Sequence, residues 1–147
     1  MMNNDNAITV ETKLYGYIAQ EAHSSRFSAT INKLFKENGV NAMMIPMNIR
    51  EDDVTFTISQ MRSSKLNGAI IASEYQEEAF GLLDRASALA NQSGYCDCIF
   101  IENQELIGDL IAPRALEKYA ENNEFADEIA MRSMCQYLYE IILGENV

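Results

Sequence analysis

Short apolar runs and helix-period stripes alternate along the first hundred residues. Residues 13–19 (KLYGYIA) are rich in aromatic and β-branched side chains between polar flanks and predict a strand. Residues 28–38 set Ile31, Leu34 and Phe35 on one face and end at Asn38-Gly39, a helix with its stop signal. Residues 40–48 form a second apolar run. Pro46 brings no N–H to it, so this strand belongs at a sheet edge or ends there. Arg50-Glu51-Asp52-Asp53 opens a helix reaching to near residue 63, its first-turn acids suiting the helix dipole. Residues 68–72 (GAIIA) are continuously apolar, as in a buried parallel strand. Residues 77–91 carry Ala79, Phe80, Leu82, Leu83, Ala86 and Leu89 at helical spacing, predicting one helix. Residues 95–101 predict a strand, 102–104 a turn, and 105–108 a strand that pairs back. A short helix over 114–119 follows. A long amphipathic helix over 124–143 comes next, with Ile129, Met131 to Met134, Leu138, Ile141 and Ile142 on its core side.

This order predicts an α/β fold: a three-layer α/β/α sandwich on a mostly parallel mixed sheet, closed by the long C-terminal helix. Its parallel neighbours should be joined by right-handed crossovers. At 147 residues and 48% hydrophobic, the chain is expected to form a single domain over 1–147, with a core at 13–112 and C-terminal helices at 113–147. The N-terminus lacks the basic region of a signal peptide, and no apolar run is long enough to cross a bilayer. A soluble, cytoplasmic protein is expected. Three cysteines, Cys96, Cys98 and Cys135, are too few for a disulfide framework and suit a reducing compartment. Cys96 and Cys98 lack a zinc-finger spacing. On a strand both would point to one face as small buried hydrophobes. No metal site is expected.

Charge narrows the partners. The net charge of −11 is uneven: residues 1–93 hold 11 acids and 8 bases, residues 94–147 hold 11 acids and 3 bases. The C-terminal third therefore carries −8, a field that repels phosphate backbones and attracts basic proteins. Direct nucleic-acid binding is not expected.

Three stretches carry a family resemblance. Residues 15–32 (YGYIAQEAHSSRFSATIN), 66–78 (LNGAIIASEYQEE) and 93–109 (SGYCDCIFIENQELIGD) follow one another with the spacing of three family motifs. Over roughly residues 13–112 the chain resembles the N-terminal substrate-binding domain of shikimate dehydrogenases. The resemblance implies that fold and a substrate cleft. In the first stretch the family uses two serines to hold the substrate carboxylate. Ser25 matches the first and Phe27 stands at the second, with Ser28 at the family's proline. A one-residue slip would set His23-Ser24 on the family's His-Ser pair and still lose the second serine. His23, the lone histidine, reads as a surface or hydrogen-bonded structural residue. In the second stretch Gln76 occupies the position of the essential acid/base lysine, Ala72 that of a substrate-contacting threonine, and Glu74 that of a proline. In the third, Asp97 replaces a substrate-binding asparagine and Asp109 matches the first aspartate of the closing motif. Ala112 stands where the catalytic aspartate belongs. Gln136 corresponds to a substrate-contacting glutamine on the family's returning helix. No G-x-G-x-x-G follows any strand, so no dinucleotide or other cofactor is expected.

With both members of the family's Lys/Asp pair replaced, no catalytic residue is assigned and the chain is expected not to be an enzyme. The first functional expectation is a protein-binding module. Its most concrete form is a small acidic inhibitor, an immunity-type protein that covers the active site of a basic bacterial nuclease toxin. Its contact acids would be Glu102 and Glu105 at the hairpin, and Glu117, Glu121, Glu124, Asp127 and Glu128 beyond it. The alternative is a shikimate- or quinate-like sensing pocket built from Ser25, Asp97, Asp109 and Gln136. An extra carboxylate at Asp97 disfavours an anionic ligand there. An enzyme of altered chemistry, drawing on Glu74, Glu77, Glu78, Asp97 and Asp109, is the weakest reading, because no spacing singles out a pair.

Overall fold

The computed structural model describes residues 11–113. The helices expected over 114–119 and 124–143 lie outside the described residues. So do Gln136 and the acids Glu117, Glu121, Glu124, Asp127 and Glu128. Within the described residues the strands are β1 (Lys13–Ala19), β2 (Ala42–Asn48), β3 (Gly68–Ile71), β4 (Arg85–Ala86), β5 (Cys98–Glu102) and β6 (Glu105–Asp109). The helices are α1 (Phe27–Glu37), α2 (Val54–Gln60), α3 (Gln76–Phe80) and α4 (Ala88–Ser93). The strands form one mixed sheet in the order β2-β1-β3-β5-β6-β4. β5 alone runs against the others.

Alternation along the strands divides the apolar residues between two faces. On one face α1 lays Phe27, Ile31 and Phe35 against Tyr15, Met44, Ile70, Cys98 and Ile111. On the other, Val54, Ile58, Met61, Tyr75, Ala79 and Ala90 pack with Ile18, Ala69, Ile71, Ile99, Leu106 and Leu110. The result is the expected three-layer sandwich. β3, buried at all four positions, lies at its centre. Cys96 and Cys98 are both buried but fall in different core clusters. The expectation of one shared face fails because the regular strand begins only at Cys98.

Pro46 does sit on an edge strand, and the edge is closed. The even-numbered residues of β2 turn their N–H groups outward, since Ile49 N–H donates inward to Ala19 O. Ala42 N–H donates to Val40 O. Met44 is clamped by Asn32, whose amide nitrogen donates to Met44 O at 2.9 Å and whose carbonyl accepts Met44 N–H at 2.7 Å. Pro46 has no N–H to offer. Little remains on this edge for another strand to pair with.

The single helix expected over 77–91 is instead two short helices around a strand. α3 stops at Gly81, and Leu82 to Asp84 turn back toward β6. Arg85 and Ala86 then pair with Ile107 and Gly108. Long-range bonds outweigh the helical period here. Asp84 accepts Leu106 N–H at 2.7 Å and pairs with Arg62 at 2.9 Å, while Arg62 also donates to Leu82 O at 2.8 Å. Ser87 then starts α4 by accepting Ala90 N–H at 3.2 Å. The local signal for the break, Gly81 followed by an N-cap serine, lay within the apolar spacing. The β5–β6 turn places Asn103 and Gln104 at φ 52° and 63°, a left-handed pair that matches hairpin twist.

Gly68 is the tightest backbone approach in the sheet. A Cβ added there meets the Ile99 carbonyl oxygen at 2.5 Å. At Gly108 the added Cβ meets the Leu83 side chain, which can turn aside. Gly68→Ala is therefore expected to destabilise by roughly 1–3 kcal/mol, and more than Gly108→Ala. Urea unfolding of both variants checks the order.

Candidate functional site

In open α/β sheets ligands bind beyond the carboxyl ends of the parallel strands. Here that edge gathers the ends of β1, β3 and β6 and the start of β5, which brings Ser25, Asp97 and Asp109 to one rim of the sheet. The loop after β1 winds through a 3-10 turn, Ala22–Ser24, into α1. Ser25 is half-buried, and its Oγ accepts Phe27 N–H at 3.0 Å, closing the turn before the helix. His23 is exposed and is anchored by its backbone, whose N–H donates to Asn48 Oδ1 at 3.0 Å.

β3 delivers Ala72, Glu74 and Gln76 to the same edge. Ala72 N–H donates to Ile18 O, tying the end of β3 to β1. Glu74 reaches across and accepts Gln20 N–H at 2.9 Å. Gln76 turns back and donates from Nε2 to Ile71 O at 2.9 Å. Between them Tyr75 is buried and donates its hydroxyl to Ile49 O at 2.7 Å. Burial first, then the carboxylates of Glu74, Glu51 and Glu78, raise the Tyr75 pKa.

Asp97 stands at the centre of this edge, 2% exposed. Its carboxylate is turned onto the backbone that leaves β6, accepting Ile111 N–H at 2.8 Å and Ala112 N–H at 2.7 Å. Its main chain bridges the two neighbouring strands, with Ile71 N–H donating to Asp97 O and Asp97 N–H to Asp109 O. Burial is the largest influence on this carboxyl and raises its pKa. The two N–H donors oppose that rise, and Asp109 adds to it. Asp97 is thus a buried acid paired with backbone donors, where the sequence suggested one facing a ligand. Asp109, half-buried, accepts Leu110 N–H at 2.7 Å through Oδ1. Burial, then Asp97 and Asp109, push the Cys96 thiol up to about 12, so it stays protonated and is no nucleophile at neutral pH.

The remaining sequence-predicted acids lie elsewhere. Glu102 is exposed at the hairpin turn, and Glu105 is paired with Arg85 at 3.2 Å. Glu77 is exposed, and Glu78 accepts the Thr55 hydroxyl. No group of three or more His, Cys, Asp or Glu side chains among the described residues is placed to hold a metal ion. No helix among them is long and apolar enough to cross a membrane. Sequence reasoning missed the Asp97 cap and the Arg62–Asp84 tie. Each joins residues 14 or more positions apart, and no local pattern marks them.

The described residues thus form a mixed six-stranded sheet with helices on both faces. The sequence profile of the shikimate dehydrogenase substrate binding domain matches residues 17–99, more than half of the chain, and the chain belongs to that family. Among curated relatives, shikimate dehydrogenase (NADP(+)) of Pyrococcus furiosus is 28% identical over 118 residues, covering 78% of this chain and 43% of the relative. The Alkaliphilus oremlandii enzyme of the same name is 28% identical over 101 residues, covering 69% and 35%. The chain therefore spans less than half the length of these relatives. The crystal structure of shikimate dehydrogenase from Aquifex aeolicus superposes with a TM-score of 0.73 at 22% identity, over 80% of this chain and 44% of that one. A 5-ketofructose reductase of Gluconobacter gives 0.71 at 14%, over 78% and 41%. These structural likenesses show the fold.

Removing the Asp97 carboxylate leaves two N–H groups at the start of the following segment without their acceptor. Asp97→Ala is expected to cost about 2 kcal/mol in urea unfolding. The pH dependence has a defined sign. A carboxyl whose pKa is raised above 3.8 on folding contributes stability that is fully present below 3.8 and is lost as pH rises through the folded-state value. The wild type should therefore lose stability relative to non-titrating Asp97→Asn across that window. Unfolding curves of the two proteins at several pH values read the difference directly.

Proposed function

We propose that this chain acts by binding, without catalysis, and that its target is a basic protein. The observation that supports the absence of catalysis is the state of the family's acid/base positions. Gln76 stands at the lysine position with its carboxamide committed to Ile71 O. A carboxamide does not exchange a proton near neutral pH as a tuned lysine does. Ala112 stands at the aspartate position, and its N–H is held by Asp97.

The choice of partner rests on charge. The chain carries −11, and most described acids lie on the surface. Such a field accelerates encounter with a basic partner and suppresses wrong ones. The relatives named above are dehydrogenases and a reductase, and none bears a toxin-inhibitor name. The reading therefore stops at a basic protein and does not extend to a nuclease toxin.

Small-molecule binding is a second reading, favoured by membership in a family described as a substrate binding domain. Ser25 supports it: the hydroxyl accepts from Phe27 and keeps its own proton to donate. Asp97 and Asp109 oppose it, because each spends a carboxylate oxygen on a backbone N–H.

Thermal unfolding with shikimate, quinate and dehydroshikimate separates the two. No shift is expected. A ligand present at 100 times its Kd would stabilise by about 2.7 kcal/mol, and a shift of that size overturns the protein-only reading. For the preferred reading, complexes with basic proteins should weaken steeply as salt rises from about 0.05 to 0.5 M. A chain that binds acidic and basic proteins alike, or binding that salt leaves unchanged, counts against it.

A further inference from the structure

α2 turns Val54 and Ile58 into the core, followed by Met61 just beyond its end. Residues opposite that stripe face solvent, and Phe56 lies at its back, 69% exposed. Tyr95, at 40%, is the other large hydrophobic exposed among the described residues. A phenylalanine at the centre of a solvent face forgoes burial that a polar residue there would not forgo. It is also flanked by charge of one sign. Asp52 and Asp53 precede it by one turn, and Glu51 sits beside them. α3 lies alongside and presents Glu77 and Glu78, and Glu78 accepts the hydroxyl of Thr55, the residue next to Phe56. Against six acids in residues 50–56 and 73–79 stands one base, Arg50.

We infer that the outer face of α2, with Phe56 at its centre, is where this chain docks an arginine-rich protein surface. This rests on the basic-partner reading and gives that partner a place and a chemistry. An exposed aromatic ring one helical turn from Asp52 and Asp53 suits a guanidinium, which stacks flat on the ring while its N–H groups pair with those acids. A lysine ammonium makes the charge contact with less stacking. The acids also repel acidic partners, so the anchor serves one sign of partner only. The hairpin acids fit less well, since Glu105 is already paired with Arg85.

The test uses the full chain, isotopically labelled for amide NMR, with two basic probes: an arginine-rich peptide and its lysine-substituted counterpart. Amide shifts are expected to centre on residues 51–60 and 74–80, with the arginine peptide binding more tightly. Phe56→Ala should weaken the arginine peptide ~5-fold and erase its advantage over the lysine peptide. Phe56→Tyr, which keeps the ring, should bind as the wild type does, and Phe56→Leu should not. Because the side chain is exposed, the unfolding temperature of each variant should stay near that of the wild type. Shifts centred on the 102–105 hairpin or on residues 114–147, with Phe56→Ala binding normally, would overturn this surface and leave the basic-partner reading standing. Absence of saturable binding to either peptide at low salt overturns both.

Discussion

Everything at the carboxyl edge of the sheet is organised around one buried carboxylate. Asp97 lies at the start of the single antiparallel strand, between β3 and β6, and its two oxygens hold Ile111 and Ala112 N–H. Burying an ionised carboxylate in an apolar setting costs several kcal/mol unless hydrogen bonds replace its water. Here two backbone donors offset part of that cost, and the chain leaving β6 is fixed where Leu110 and Ile111 enter opposite faces of the sandwich. One side chain thus links strand pairing to the packing of both layers. An asparagine at this position could offer one acceptor and would turn an N–H₂ toward the second donor. The carboxylate is the side chain that satisfies both.

The rest of the edge closes in the same manner. Glu74 holds the β1 loop, Gln76 holds the end of β3, Tyr75 holds the exit of β2 and Ser25 holds the entrance to α1. Polar groups that line a ligand cleft ordinarily leave donors or acceptors pointing into it. Along this rim Glu74, Gln76, Tyr75 and Asp97 each give at least one polar atom to the chain itself. The family's fold is present, and fold alone does not fix the chemistry of a site.

Strands β1, β2, β3, β5 and β6 and helices α1 and α2 were legible in the sequence because each carried its own signal, among them the buried run of β3, the Ile31–Phe35 stripe of α1, the acidic opening of α2, and Pro46 at the edge. The helix expected over 77–91 was not, since its apolar spacing is real and the bonds that break it come from Arg62 and Leu106, both more than 20 residues from Asp84. The roles at the site divided the same way. The residue types at Gln76 and Ala112 can be read from the sequence alone. That Asp97 turns inward cannot, because an aspartate facing backbone and an aspartate facing ligand have the same letter and the same neighbours.

A closed rim and a closed sheet edge together constrain how such a domain can act. The β2 edge has few outward donors left, with Met44 N–H held by Asn32, Ala42 N–H by Val40 and none on Pro46, which disfavours strand addition along that stretch. The strand ends are bonded to one another. The described surface puts its most exposed large hydrophobic residue, Phe56, on a helix preceded by carboxylates, where the proposed docking face lies. Binding there needs no rearrangement of the sheet, because the α2 face is rigidly set by Val54 and Ile58 beneath it. Pre-organisation of that kind lowers the ordering cost of association, so a small contact can still be a specific one.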